Sequence, residues 1–450
     1  MKKIYLAAVA ANLGMLSVGQ FIGWASPSLP KLMYDNSTEY PVHLDSEEVS
    51  WVITLFTIGA MLGPIICAFI VNIIGRKHTM LLTTVPAVIS WLLIAFATSK
   101  WELYVARVLC GLCTGMSYTT TPMYLGEISS ANIRGYLVSM LVVVAGIGTL
   151  VEFIIGPFLS VQNLALVSLI SPCLFVITFI WVPESPYHLI RCDARQKAIN
   201  SLIQLRGKED VYTEADNIEQ AVKIDLANET GFREILFVPG NRRALLILLC
   251  LAAFQQLSGV SAILQFAEII FDEANSSLKG KYLTMILGAV QLVSTIVCMF
   301  VIDRCGRKPL LIISAFGSGC STAMVAIYFN LQYNHVNTNE LVWLPITGVL
   351  TYMIMYSLGL AALVLTICSE VFPTNVKALG ATLTVVALGV SGSVVGKLYL
   401  FIAENAGTHV PFWIFSACCF TCVLFTFFYV PETKGKTLEQ IQEKLHKRSK

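Results

Sequence analysis

The sequence predicts an all-α membrane protein, with twelve transmembrane helices in two pseudo-symmetric bundles of six. Three observations carry this. The 450 residues are 56% hydrophobic and 13% charged, with a mean hydropathy of +0.72, whereas a soluble globular protein carries roughly 25% charged residues. The apolar runs have the length of a bilayer-spanning helix, ~20 residues, rather than that of a barrel strand, and in lipid only helices or closed barrels satisfy every backbone group. One polar stretch, residues 183–243, separates two long apolar blocks, 1–182 and 244–450, each holding six such runs.

In order, the predicted helices α1 to α12 fall at about 5–26, 49–71, 79–98, 103–126, 136–158, 164–182, 244–270, 281–302, 309–331, 342–369, 378–400 and 412–430. The opening Met1–Gly14 has the charge and apolar run of a signal peptide. The run continues to Trp24 without a clear cleavage site, so it reads as an uncleaved first helix. Basic residues set the orientation. Of 30 Lys and Arg, four fall in one set of loops (Lys31, Lys100, Lys279, Lys281), two within spans (Arg107, Lys397) and the other 24 on the opposite side, with both termini and the polar stretch. Positive residues accumulate in the cytoplasm, so both termini are expected there.

The outer loop 27–48 is acidic and carries the sequon Asn36-Ser37-Thr38; a second outer sequon begins at Asn275. Both are glycan acceptors by pattern, whereas the sequon at Asn228 lies on the cytoplasmic side. Most of the thirteen cysteines sit inside apolar runs and read as small buried side chains. Cys110 and Cys113 have CxxC spacing, but within a predicted helix, so no metal or redox site is expected. Gly111 and Gly115 have small-xxx-small spacing, which permits close packing within the bundle. In the connector, 194–205 and 212–226 have helical apolar spacing and are expected to form short amphipathic helices under the membrane domain. They serve either as a solvated linker or as a latch.

The halves repeat the same punctuation in the same order. Gly75-Arg76-Lys77 follows α2 and Gly306-Arg307-Lys308 follows α8; Glu127 precedes Arg134 by seven residues and Glu370 precedes Lys377 by seven; Pro183-Glu184-Ser185 closes α6 and Pro431-Glu432-Thr433 closes α12. Three ordered matches argue for duplication. The glycine permits a tight turn. The cations lie near helix C-termini and are expected to pair with Glu127, Glu370 and, in the second half, Asp303. Such pairs are partly desolvated yet breakable in water, which suits a latch between two states.

These residues carry a resemblance. With Arg107, Pro122-Met123-Tyr124, Arg134-Gly135, Gln255-Gln256-Leu257-Ser258-Gly259, Asp303 and Pro431-Glu432-Thr433-Lys434-Gly435, the chain resembles the sugar porters of the major facilitator superfamily over nearly its whole length. Trp24-Ala25-Ser26-Pro27 and Ser369-Glu370-Val371-Phe372-Pro373-Thr374 look most like the insect facilitated trehalose and glucose transporter-like branch. The resemblance implies two six-helix bundles around a central cavity, alternating access and a hexose or disaccharide substrate, with no cofactor, metal or nucleic-acid partner and a monomer in the plasma membrane. It makes Gln255 and Gln256 the main sugar-binding pair of α7, places Gln291 where the family usually has a sugar-binding Asn on α8, and puts Phe266 at the outer aromatic gate. It assigns Arg76, Lys77, Arg107, Glu127, Arg134, Glu184, Asp303, Arg307, Lys308, Glu370, Lys377 and Glu432 to a gating network. On chemistry alone, a neutral polyol needs side-chain amides, which donate and accept, and an aromatic face.

Several family positions differ. Ser261 stands for a sugar-binding Asn, Val142 for the α5 Gln, Leu388 and Gly389 for the α11 Asn-Trp pair, and Asn72 for the Asp of the first Gly-Arg-Lys copy. In α10, Gly359-Leu360-Ala361-Ala362-Leu363 replaces a Gly-Pro-x-Pro-Trp stretch, so two prolines and the sugar-stacking Trp are gone. A stiffer α10 is expected. Tyr352, Tyr356, Trp413 and Tyr118 are the candidates to restore an aromatic face. In α1 the run Ser17–Trp24 has no acid, which favours facilitated diffusion over proton coupling; Glu152 and Glu268 are the remaining acids near the apolar zone, both expected at water-accessible outer ends. A non-transporting sugar sensor and a carrier for another polyol or organic solute stay open beside sugar uniport. No nucleotide loop, metal-ligand cluster or nucleophile motif points to an enzyme.

Overall fold

In a computed structural model, the described residues are 2–34, 40–129, 131–207, 210–227, 232–274, 278–302, 305–372, 374–434, 436 and 440. Among the described residues, eleven helices are long and apolar enough to cross a membrane. Lys100–Ile128 completes the set of twelve at 29 residues; Arg107 and the hydroxyls of Thr119, Thr120 and Thr121 lower its hydropathy.

The first half comprises α1 (Lys2–Gly23, resuming as Ala25–Tyr34), α2 (Ser46–Ile74), α3 (Arg76–Leu82 and Thr84–Ala95), α4 (Lys100–Ile128), α5 (Ala131–Ile155) and α6 (Val161–Ser168 and Ile170–Phe179). The second comprises α7 (Pro239–Leu257, Val260–Gln265 and Ala267–Glu273), α8 (Gly280–Val301), α9 (Arg307–Tyr333), α10 (Trp343–Leu358 and Leu360–Val371), α11 (Thr374–Ala406) and α12 (His409–Tyr429). The start of α2 lies earlier than the hydropathy suggests. Asp45 and Glu48 form a reciprocal capping box there, with Glu48 N–H donating to Asp45 Oδ1 at 2.8 Å, which satisfies free amides of the first turn. The first outer loop is shorter than expected, because helix continues to Tyr34 with Ala25 to Leu29 buried beneath it.

Inside the first bundle α2 and α4 touch backbone to backbone. A Cβ on Gly111 would fall 2.0 Å from the Phe56 carbonyl, and one on Gly115 2.2 Å from that of Ala60, so the small-residue spacing serves packing within the bundle. Thr114, Thr119 and Thr120 of α4 donate to the Cys110, Gly115 and Met116 carbonyls of their own helix at 2.8, 2.9 and 2.9 Å, which lets a polar helix remain buried.

The halves meet along α2 against α11 and α5 against α8. Between them, helices Arg195–Arg206 and Tyr212–Ala227 occupy the connector as expected. They pack through Ile199, Leu202, Val211, Ala215 and Ile218. Arg206 pairs with Glu214 at 2.6 Å and donates to the Ile128 carbonyl at 2.8 Å, docking this layer on the end of α4.

Asn36, Asn275, Asp303 and the sequon at Asn228 lie outside the described residues, as do the side chains of Arg134 and Lys377.

Candidate functional site

At the connector end, the duplicated motifs fold into two matching cradles. In the first, Arg76 opens α3 and meets Glu127, near the end of α4, at 2.9 Å. Glu184 accepts the Lys77 backbone N–H at 3.0 Å, Ser185 donates its hydroxyl to Glu127, and Lys77 Nζ reaches the Ile180 carbonyl at 2.7 Å. In the second, Arg307 meets Glu370 at 2.9 Å. Glu432 accepts the N–H groups of Arg307 and Lys308 at 3.0 and 3.1 Å, Thr433 donates to Glu370 at 2.5 Å, and Lys308 Nζ reaches the Phe427 carbonyl at 2.7 Å.

Each position has a local cause. Glu184 and Glu432 sit at the N-termini of α3 and α9, where free N–H groups and the helix dipole favour an anion. Burial alone pushes the Glu432 carboxyl up, but the backbone N–H groups of Lys434, Arg307 and Lys308 hold it below the ordinary carboxylate value. Lys77 and Lys308 bind the last carbonyls of α6 and α12. The arginines take the carboxylate side chains.

The first cradle has a member that sequence reasoning missed. His188, buried, accepts a hydrogen bond at Nδ1 from Arg76 Nη1 at 3.1 Å. Arginine can only donate, so Nδ1 carries no proton. Burial first, and then the Arg76 charge, lowers the His188 value. Its place three residues after Ser185, whose hydroxyl accepts its N–H at the cap of a short helix, was the available signal.

The central site forms around breaks in α7 and α10. Gln255 and Gln256 stand just before Ser258-Gly259, where Gly259 takes φ +98°, a left-handed geometry suited to glycine. Successive helical residues point ~100° apart, so the two amides face different partners. Gln255 Nε2 donates to Tyr356 Oη at 3.1 Å and to the Ala361 carbonyl at 3.3 Å, both on α10. Gln256 Oε1 accepts from Ser261 at 2.7 Å and lies beside Gly392 of α11. Among the described residues, the buried Oε1 atoms of Gln255 and of Gln291 on α8 have no partner. Tyr352 stacks on Tyr356 at 5.8 Å and shares a 2.9 Å hydrogen bond with Ser258. Tyr118 of α4 is an electrostatic neighbour of Tyr356. Of the four candidate aromatics, Tyr352 and Tyr356 meet here, and among the described residues neither Tyr118 nor Trp413 makes a ring contact with them. Leu363 is fully buried and packs into the core.

The expectation of a stiff α10 is corrected. The helix breaks at Gly359 (φ −145°, ψ −66°) without any proline. Ser314 of α9 holds the break open: its hydroxyl donates to the Met355 carbonyl at 2.6 Å and accepts the Leu360 N–H at 2.9 Å. One side chain thereby satisfies both an acceptor and a donor that the break exposes.

Contacts between the halves at and beyond the midplane, away from the connector, close that side. Thr57 of α2 bonds Ser393 of α11 at 2.8 Å, the Glu268 N–H donates to Ser26 at 3.1 Å, and Lys397 of α11 lies 3.7 Å from Glu47 and over the Trp51 ring. Phe266 is fully buried between two segments of α7 and stacks on Tyr399 at 4.9 Å. Arg107 is fully buried, with its guanidinium over the Trp24 and Phe56 rings. It donates to the Phe21 and Val52 carbonyls and, across the halves, to Gln265 Oε1 at 3.4 Å; it has no carboxylate partner among the described residues. Glu152 is not water-accessible as expected. It is fully buried, with Ser168 donating to it at 2.5 Å, because α1 and α6 pack over it.

A family model described as "Sugar (and other) transporter" matches residues 14–445. The facilitated trehalose transporter Tret1 of Bombyx mori is 32% identical over 443 residues, covering 98% of this chain and 86% of that protein. Tret1 of Drosophila mojavensis is also 32% identical, but this chain spans only 51% of it. Among solved structures, the xylose transporter XylE from E. coli in a partially occluded inward open conformation superposes with a TM-score of 0.81, at 23% identity, covering 97% of this chain and 100% of that one.

Proposed function

The chain belongs to the sugar transporter family, and from that premise we propose a facilitative uniporter that carries a hexose or trehalose by alternating access. The observation that carries the reading is the amide pocket. Gln255 presents a buried acceptor without a partner among the described residues, and beside it stand Gln256 and the faces of Tyr352 and Tyr356; Gln291 of α8 carries a second such acceptor. Buried polar groups are ordinarily satisfied, and a polyol supplies the missing donors. Uniport is the reading because α1 carries no acid and Arg107 meets carbonyls and rings rather than a carboxylate among the described residues; the buried Glu152 is the acid a coupled proton would use, and the protonophore arm of the uptake assay tests it. Trehalose enters from the relatives' names alone.

The blocks 1–182 and 244–450 are the two rocking units and 183–243 the connector beneath them. The cradles around Arg76 and Arg307, with Arg107 at the other end, are the gating network, and Phe266 the outer gate. The basic asymmetry puts both termini in the cytoplasm and the protein, a monomer, in the plasma membrane, with Asn36 and Asn275 available to glycans. No enzymatic step is assigned to the chain.

A carrier for a different polyol is a second reading, supported by Leu363 where the resemblance puts a tryptophan. Radiolabelled uptake in oocytes at matched surface expression decides. Saturable uptake of glucose or trehalose, insensitive to protonophore and lost in Gln256→Ala, is expected. Uptake of neither sugar by wild type overturns the reading and leaves a sensor or another solute.

A further inference from the structure

We propose that Tyr356 is the specificity-determining residue of the second-half pocket, a ring that serves as the stacking face while its hydroxyl holds Gln255 until substrate displaces it. The inference rests on the transport reading above.

Three observations converge. Gln255 is tied on its donor side, to Tyr356 Oη and the Ala361 carbonyl, and open on its acceptor side. An amide in that state offers an incoming hydroxyl an acceptor at once, and a donor only after the tyrosine bond is released. Tyr356 is itself fixed from behind: Tyr352 stacks on it and is anchored to Ser258, at the break of α7. Finally, Tyr356 lies on the turn of α10 just before the break at Gly359. Substrate that displaces the phenol therefore cuts one side-chain link between α7 and α10, while the Ser258–Tyr352 bond still joins them.

The exchange is uphill for any ligand that returns fewer hydrogen bonds than it displaces. An analogue lacking the matching hydroxyl leaves the amide on the phenol and gains only the acceptor contact, so it binds less well than the full substrate.

The test is the split between KM and maximal rate in oocyte uptake of trehalose and glucose. Tyr356→Phe keeps the face and removes the competing hydroxyl, so KM should fall by about fivefold, the weight of one hydrogen bond. Tyr356→Ala removes both, so KM should rise several-fold. Tyr356→Trp, with its ring but no phenol, should behave like Tyr356→Phe and guards against a misfolded variant. A KM unchanged or raised in Tyr356→Phe and Tyr356→Trp, while wild type transports, overturns the proposal and leaves the transport reading intact. A wild type that moves neither sugar overturns both.

Discussion

Arg76 Nη1 donates to His188 Nδ1 at 3.1 Å while the same guanidinium meets Glu127 at 2.9 Å. The histidine thus stacks a pH-dependent acceptor onto a permanent ion pair. The titratable and charged groups around His188 are Arg76, Glu184, His78 and Arg191, with Cys192 one turn along.

Acid should loosen this cradle. The folded value of His188 lies below its ordinary 6.5. The unfolded chain therefore takes up a proton at about 6.5, and the folded chain only at lower pH. Stability from this group is full above 6.5 and is lost as pH falls through that value toward the folded one. Protonation also places a cation beside Arg76 and removes its acceptor. Melting of the detergent-solubilised protein should drop more steeply between pH 7.5 and 5.5 in wild type than in His188→Gln. Superimposable pH profiles would exclude His188 as the cause.

The two cradles make a paired prediction. Glu127→Gln and Glu370→Gln each take the carboxylate from an arginine of low exposure, and breaking a buried pair costs about 3 kcal/mol. The second pair is more open, with 26% side-chain exposure at Glu370 against 16% at Glu127, so Glu370→Gln should cost less. In uptake assays both should lower the maximal rate more than they change KM, since neither residue touches the amide pocket. A change confined to KM would remove the cradles from gating.

Much of this was legible in the chain. The apolar runs, the polar stretch and the repeated Gly-Arg-Lys, Glu and Pro-Glu-Ser or Pro-Glu-Thr signals located both bundles and both cradles. They did so because charge at a membrane boundary is costly to misplace and leaves a regular trace. What escaped depends on tertiary contact. His188 acts through a neighbour 112 positions away. The α10 break could not be read from α10, because the group that sustains it is Ser314 on α9. Glu152 looked accessible from its distance to the helix end, yet α1 and α6 close over it, and no periodicity reports which face a neighbour covers.

The Ser314 support is itself testable. Ser314→Ala leaves the Met355 carbonyl and the Leu360 N–H, both in a buried setting, without that partner. An unmet buried polar group costs about 1–3 kcal/mol. Either α10 closes into a continuous helix, restoring the pairing and slowing transport, or the protein melts earlier. Ser314→Thr keeps the hydroxyl and should retain more activity than Ser314→Ala. Gly359→Ala should fail more severely, since its Cβ would lie 2.4 Å from Ser314 Cβ. Equal uptake and equal melting for Ser314→Ala and wild type would show that the break does not need the hydroxyl.

On the side proposed to face outward, Lys397 joins α11 to α2 by two weak contacts, the Glu47 carboxylate at 3.7 Å and the Trp51 ring at 4.3 Å. Glu47 is largely exposed, so the ion pair contributes at most about 1 kcal/mol. The ring contact adds a similar ~0.5–1 kcal/mol. Both exist only while the halves are closed here, so they bias the carrier against opening outward. Removing them with Lys397→Met should shift the population toward the outward-open state by up to about thirtyfold. External KM should then fall while internal KM rises. Glu47→Gln, which leaves the ring contact in place, should move both constants in the same directions by less. The order of the two variants separates a latch from a surface charge effect: if Glu47→Gln matches Lys397→Met, and added salt abolishes both, only a screened surface charge is at work.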